Sequence, residues 1–110
     1  MEGNQFEVGI YRTEEGKRPF ADWSLSLKDR KARVKIDTRI NRLQLGNLGD
    51  CKNVGGGVFE LRVDYGPGYR VYFGRRGQKL IILLCGGDKR TQQRDIQRAK
   101  QYWEEYKDGN

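Results

Sequence analysis

Histidine is absent from all 110 residues, which excludes Ser-His-Asp and Cys-His nucleophile arrangements, imidazole acid–base pairs and every zinc site that uses histidine. Cysteine is nearly absent. Cys51 and Cys85 are too few for a four-cysteine metal site; they fit one disulfide or, in a chain without a secretory leader, two reduced thiols packing as small hydrophobes. The opening Met1-Glu2-Gly3-Asn4-Gln5 has neither a basic nor an apolar signal region, so a cytoplasmic location is expected. Long apolar runs are missing too: the longest, Leu80-Ile81-Ile82-Leu83-Leu84-Cys85, falls far short of the roughly 20 residues that cross a bilayer. The 15 glycines form no nucleotide fingerprint, because Gly66-Pro67-Gly68 is followed by Val71 where a third glycine should stand and Gly86-Gly87-Asp88-Lys89 lacks the Walker spacing. Neither a metal nor a cofactor is expected.

What the chain has in quantity is positive charge: 22 Lys and Arg against 15 Asp and Glu, a formal net charge of +7. A small basic protein attracts polyanions. The excess is concentrated in residues 28–42 and 62–90, each +5, while residues 1–27 are net −2. Only 35% of the residues are hydrophobic and the mean hydropathy is −0.92, so one domain with a modest core and a radius of gyration of roughly 13 Å is expected.

Period-2 alternation of Phe6, Val8 and Ile10 predicts a strand with one buried face. A loop over residues 13–18 follows. Pro19 opens a short helix with Phe20, Trp23 and Leu27 on one stripe, and Asp29 caps a second, of about four turns, whose Ala32, Ile36, Ile40 and Leu43 share a face. Its Arg33, Lys35, Arg39 and Arg42 lie mostly off that face, toward water or a partner. Gly46 is a left-handed stop. Residues 46–57 read as a glycine-rich loop with room for a short strand over 51–54. Strands over 58–64, 69–74 and 79–85 follow in series, the last apolar on both faces and therefore central, with helices on each side. A helix over 91–106, with Ile96, Ala99 and Trp103 in line, ends the domain, and residues 107–110 are expected to fray. The class is α+β.

Strand geometry makes the charges on these strands informative. Phe59, Leu61 and Val63 point one way and Arg62 the other, while Arg70 and Tyr72 share the face opposite Tyr69, Val71 and Phe73. Paired strands would set Arg62, Arg70 and Tyr72 side by side, with Lys89 and Arg90 closing the cluster at the strand ends. Arginines grip phosphate oxygens and an aromatic ring stacks on an unpaired base, so the pattern suits RNA. RNA carries its own nucleophile, the 2′-hydroxyl, so cleavage requires only in-line positioning, charge stabilisation and two proton transfers. A plainer reading stands beside this one: outward charges solubilise an edge, Glu60 and Asp64 pair with the arginines, and Tyr72 packs.

Val58-Phe59-Glu60-Leu61-Arg62, the Gly68-Tyr69-Arg70-Val71-Tyr72-Phe73 strand, the Leu83-Leu84-Cys85-Gly86-Gly87-Asp88-Lys89 ending and the Phe20-x-x-Trp23 opening resemble the RelE/ParE superfamily of toxins, most closely its HigB-like, phage Gp49-like branch of addiction module killer proteins. The resemblance runs over residues 6–106. It implies a single RelE-like domain and the toxin of a type II toxin–antitoxin pair, held by a small antitoxin that is often a helix-turn-helix protein. It further implies metal-independent cleavage of mRNA on the ribosome, with Arg62, Arg70 and Lys89 at the scissile phosphate, Tyr72 and Arg90 positioning RNA, and Arg33, Arg39 and Arg42 gripping ribosomal RNA. The chain departs from the pattern in two places: a tyrosine that some members carry after the basic pair falls near Ile96 here, and the histidine of some HigB proteins is missing. That leaves Tyr72, Lys52 and Lys89 as candidates for proton transfer. The alternative implied function is that of ParE relatives, which inhibit DNA gyrase without chemistry of their own; a plain interaction domain is a third.

Overall fold

The structure, a computed structural model, describes residues 5–109; the expectations for residues 1–4 and for Asn110 lie outside them. The chain runs β1 (Glu7–Ile10), α1 (Pro19–Ser26), α2 (Arg30–Gln44), β2 (Cys51–Gly55), β3 (Val58–Val63), β4 (Tyr69–Arg76), β5 (Leu80–Asp88), a 3-10 turn (Lys89–Thr91) and α3 (Gln92–Asp108). The strands form one sheet in the order β1-β5-β4-β3-β2, and the radius of gyration is 13.1 Å. This is the expected α+β domain.

Local signals account for most boundaries. Pro19 stands in the first turn of α1, where its missing N–H costs nothing. Asp29 caps α2, its Oδ1 accepting from the backbone N–H of Lys31 at 2.9 Å and Ala32 at 3.3 Å, while its Oδ2 accepts from the Tyr65 hydroxyl at 2.9 Å. Some elements run past their expected ends. β4 reaches Arg76 because the turn is confined to residues 77–79, where Gly77 takes a φ of 57°, β5 continues through Gly86 and Gly87 to Asp88, and α3 continues to Asp108 instead of fraying at 107.

β5 is an interior strand covered on both faces, as its unbroken apolar run requires, but it lies second from the β1 edge and β4 takes the middle of the sheet; the sheet has a separate core on each face. On one side Ile36 and Leu43 of α2 and Phe20 of α1 pack on Leu61, Val63, Val71, Phe73, Ile81 and Leu83. On the other, Ala99 and Trp103 of α3 pack on Val58, Tyr72, Ile82, Leu84 and Cys85. Gly74 and Gly86 let the two tryptophans reach the sheet: a Cβ would stand 2.2 Å from the Trp103 ring at the first and 2.2 Å from the Trp23 ring at the second. Both cysteines are free thiols, and burial, with the nearby Asp95 carboxylate, pushes Cys85 up to about 12, which makes it inert packing.

Of three further features, the exposure of Ile10 departs from the sequence expectations, and the seat of β1 and the β4–β5 register lie beyond them. β1 joins the sheet edge in parallel with β5, Glu7 opposite Leu80 and Ile10 opposite Leu83, whereas every other neighbouring pair is antiparallel. Ile10 ends that strand 44% exposed, and Tyr11 takes the buried place in the α3-side core. Finally, a bulge shifts the β4–β5 register, so that Tyr72 faces Cys85 while Phe73 faces Leu83. Leu84 is the extra residue, and the side-chain phase of β5 reverses beyond it.

Candidate anion-binding site

The bulge sets the stage for the site, because it turns Gly87 toward α3, opposite Arg70, which in turn stands opposite Arg62. At Gly87 a side chain has no room: a Cβ would lie 1.9 Å from Asp95 Oδ2. The buried Asp95 carboxylate accepts from the Thr91 hydroxyl. Asp88 caps the 3-10 turn, accepting from the Arg90 backbone N–H at 2.9 Å, and binds the Arg90 guanidinium at 3.1 Å. This capped turn carries Lys89 to the same place as the two arginines.

Arg62, Arg70 and Lys89 line one open cavity of about 370 Å³, walled by Gly66, Pro67 and Gly68 of the β3–β4 turn and edged by the carboxylates of Asp50 and Asp64. The volume lies in the lower range of small-ligand clefts. Beneath it sits Glu60, with no exposed surface. One of its oxygens, Oε1, accepts from Arg62 Nε at 3.1 Å and lies 3.9 Å from Arg70 Nε; Oε2 accepts from Gln92 Nε2 at 2.8 Å and from the Tyr72 hydroxyl at 3.1 Å. Burial pushes the Glu60 carboxyl up, but the donors Gln92, Arg62 and Tyr72 outweigh it and hold the group below the usual carboxylate range. The guanidinium of Arg62 is thereby fixed and kept charged, with its side chain still 34% exposed to the cavity side. Arg70 is nearly buried; its Nη1 donates to the carbonyls of Gly68 and Tyr69 at 3.2 and 3.3 Å, while its Nε has no hydrogen-bond partner.

The sequence-based site is partly assembled and partly redistributed. Arg62, Arg70 and Lys89 converge as expected. Tyr72 does not join them: α3 covers its face of the sheet, the ring has no exposed surface, and burial together with Glu60 raises its hydroxyl pKa. Its ring lies in the α3-side core and its hydroxyl donates to Glu60 at 3.1 Å. Arg90 points outward, 81% exposed, tied to Asp88. Arg39 is half-buried, and its Nη1 donates to the Arg62 backbone carbonyl, which ties α2 to β3. Arg33 and Arg42 remain on α2, across the sheet from the cavity. Lys52 is exposed opposite Glu60 in register and lies outside the lining. Glu60 was legible only as an ion-pair partner; Gln92 and Asp50 carried no signal in the sequence.

Among the described residues no three His, Cys, Asp or Glu side chains are grouped to hold a metal ion, and no helix is long and apolar enough to cross a membrane. The fold and this cavity make a small α+β protein whose β3 and β4 strands and capped turn bring Arg62, Arg70 and Lys89 to one cavity. Residues 24–104 match the family described as phage derived protein Gp49-like (DUF891), and the chain belongs to that family. The match contains every residue of the cavity and omits β1. An uncharacterized protein of Haemophilus influenzae is 56% identical over 81 residues, covering 74% of this chain and 82% of that one. The family is associated with the toxins of toxin–antitoxin systems.

Proposed function

We propose that this chain is a toxin of the RelE/ParE superfamily, in its HigB-like branch, and that it cleaves mRNA on the ribosome without a metal ion. The observation that carries the reading is the convergence of Arg62, Arg70 and Lys89 on one cavity, with Glu60 holding Arg62 from below. In such a reaction the 2′-oxygen attacks the adjacent phosphorus and gives its proton to a base. The 5′-oxygen of the next nucleotide leaves and takes up a proton, so the products are a 2′,3′-cyclic phosphate and a 5′-hydroxyl. Negative charge grows on the non-bridging oxygens, and fixed donors stabilise it without reorganising. Arg62 and Arg70 supply that charge. With Tyr72 withdrawn, Lys89 is the lysine that lines the cavity and protonates the leaving oxygen, while the carboxylates of Asp50 and Asp64 are the acceptors at its edge.

The exposed cations of α2, Arg42 and the half-exposed Arg33, then hold ribosomal RNA, and a cognate antitoxin of the helix-turn-helix kind masks the basic surface in the cytoplasm. Primer extension on mRNA from cells briefly expressing the wild type beside Arg62→Ala tests the reading. Cleavage within translated frames that disappears in the variant supports it. The burial of Tyr72 favours a second reading, a ParE-like gyrase inhibitor that needs no proton-transfer group. Growth arrest by both proteins with intact mRNA, together with dose-dependent loss of gyrase supercoiling, would replace the first reading with the second.

A further inference from the structure

A groove of about 960 Å³, more than twice the volume of the basic cavity, lies at the other end of α3. Its walls are the end of β1 and the loop after it, facing the last turns of α3. Four carboxylates line it, Glu14, Glu15, Glu105 and Asp108, against two cations, Arg12 and Lys17. This is an acidic groove in a chain of net charge +7.

Both ends of α3 carry mixed charge: Lys89, Arg90 and Arg94 stand with Asp88 and Asp95 at its start, and Lys107 stands with Glu104, Glu105 and Asp108 in its last turns. Lys107 pairs with Glu104 at 3.0 Å, which leaves Glu105 and Asp108 facing the groove. Acidic groups at a helix C-terminus run against the macrodipole, and a cation there is favoured. The walls have the chemistry to receive one: the Tyr11 hydroxyl donates to Glu105 Oε1 at 2.7 Å, and the Tyr11 and Tyr102 rings lie 5.1 Å apart. Aromatic faces bind ammonium and guanidinium groups. The molecule shows this contact at the border of the groove, where the Arg76 guanidinium stands 5.7 Å from the Tyr106 ring centroid. Ile10, 44% exposed, adds an apolar foothold. The carboxylates are dispersed, with no three acidic groups clustered for a metal ion among the described residues, so the charge complements an extended cationic ligand.

We propose that this groove binds a lysine- and arginine-bearing segment of a partner protein in extended form, its cations on the four carboxylates and an apolar side chain against Ile10. The proposal is independent of the nuclease reading. About 20 Å of helix separate Gln92 from Glu105, so the segment and an anion in the basic cavity bind together.

Anisotropy of a fluorescein-labelled peptide alternating Arg, Leu and Lys, titrated with the full chain at low salt, tests this. The control is a Glu–Leu peptide of equal length. The test variant is Glu15→Lys with Asp108→Lys, both exposed and both outside the basic cavity. The basic peptide is expected to bind the wild type and to bind the double variant on the order of tenfold more weakly, with an unchanged thermal melt. No binding, or equal binding to both proteins, overturns the proposal. Sedimentation of the wild type alone closes the remaining route: self-association that the double variant abolishes would make a second copy the occupant and remove the separate partner.

Discussion

Arg62 and Arg70 stand directly opposite each other on β3 and β4, side chains on the same face of the sheet. Like charges in this position repel, and a sheet built only for stability would avoid the pair. Glu60 makes it tolerable, its carboxylate 3.1 Å from Arg62 Nε and 3.9 Å from Arg70 Nε. Glu60 is the buried anion shared by the two arginines, and Asp50 and Asp64 at the edge of the cavity supply the other carboxylates near them.

Arg62→Ala is therefore expected to keep the fold and lose cleavage by about 10²- to 10³-fold, the usual effect of removing one preorganised donor. Arg62→Lys keeps the charge but not the fixed fork, and is expected to recover only part of that loss. Single-turnover cleavage of translated mRNA, with circular dichroism as the fold control, measures both.

Glu60→Gln is expected to cost about 2 kcal/mol of stability near neutral pH, because the amide leaves the charge-assisted bond to Arg62 without its anion. The folded-state pKa of Glu60 lies below its unfolded value, so its contribution is present above pH ~4.3 and is lost as pH falls through the folded-state value. Urea melts should thus show the wild type and variant converging in acid. A constant gap down to pH 3 would sink the assignment.

Tyr72→Phe separates burial from catalysis. Removing one donor to Glu60 is expected to cost about 1 kcal/mol and to leave single-turnover cleavage within about threefold, since the charge of Arg62 is untouched. A loss of about 10² or more, the scale of general acid–base catalysis, would return Tyr72 to the chemistry.

Gly87→Ala tests how the cavity is held together. The new methyl group would meet Asp95 Oδ2 at 1.9 Å and Thr91 Oγ1 at 2.9 Å; overpacking of this kind costs about 1–3 kcal/mol, and here it disturbs the capped turn that carries Lys89. Denaturant unfolding should report the loss, and cleavage should fall further than stability alone predicts.

The sequence was legible wherever the signal was local. Asp29 as a cap, the shared face of Phe59, Leu61 and Val63, and the double burial of residues 81–84 all follow from chain periodicity, and so does the convergence of Arg62 with Arg70. It was opaque where packing from a distant element decided the outcome. The face carrying Glu60, Arg62 and Tyr72 alternates like a solvated one, and only the arrival of α3 turns it into a second core with a buried carboxylate. The parallel seat of β1 beside β5 and the link from Arg39 to the Arg62 carbonyl depend on contacts between residues far apart in the chain. The bulge at Leu84 leaves no mark in a uniform apolar run.

The seat of β1 also bears on how the protein comes into being. The first strand has β5 as its neighbour in the sheet, the last strand to be made, and Glu60 receives its hydrogen bond from Gln92, later still. During vectorial synthesis the early helices and the β2–β3 ribbon emerge well before their partners, and pairings this distant in sequence form slowly. Assembly of the cavity awaits the final fifth of the chain. Until those residues have emerged, a nascent copy lacks both Lys89 and the Gln92 donor to Glu60.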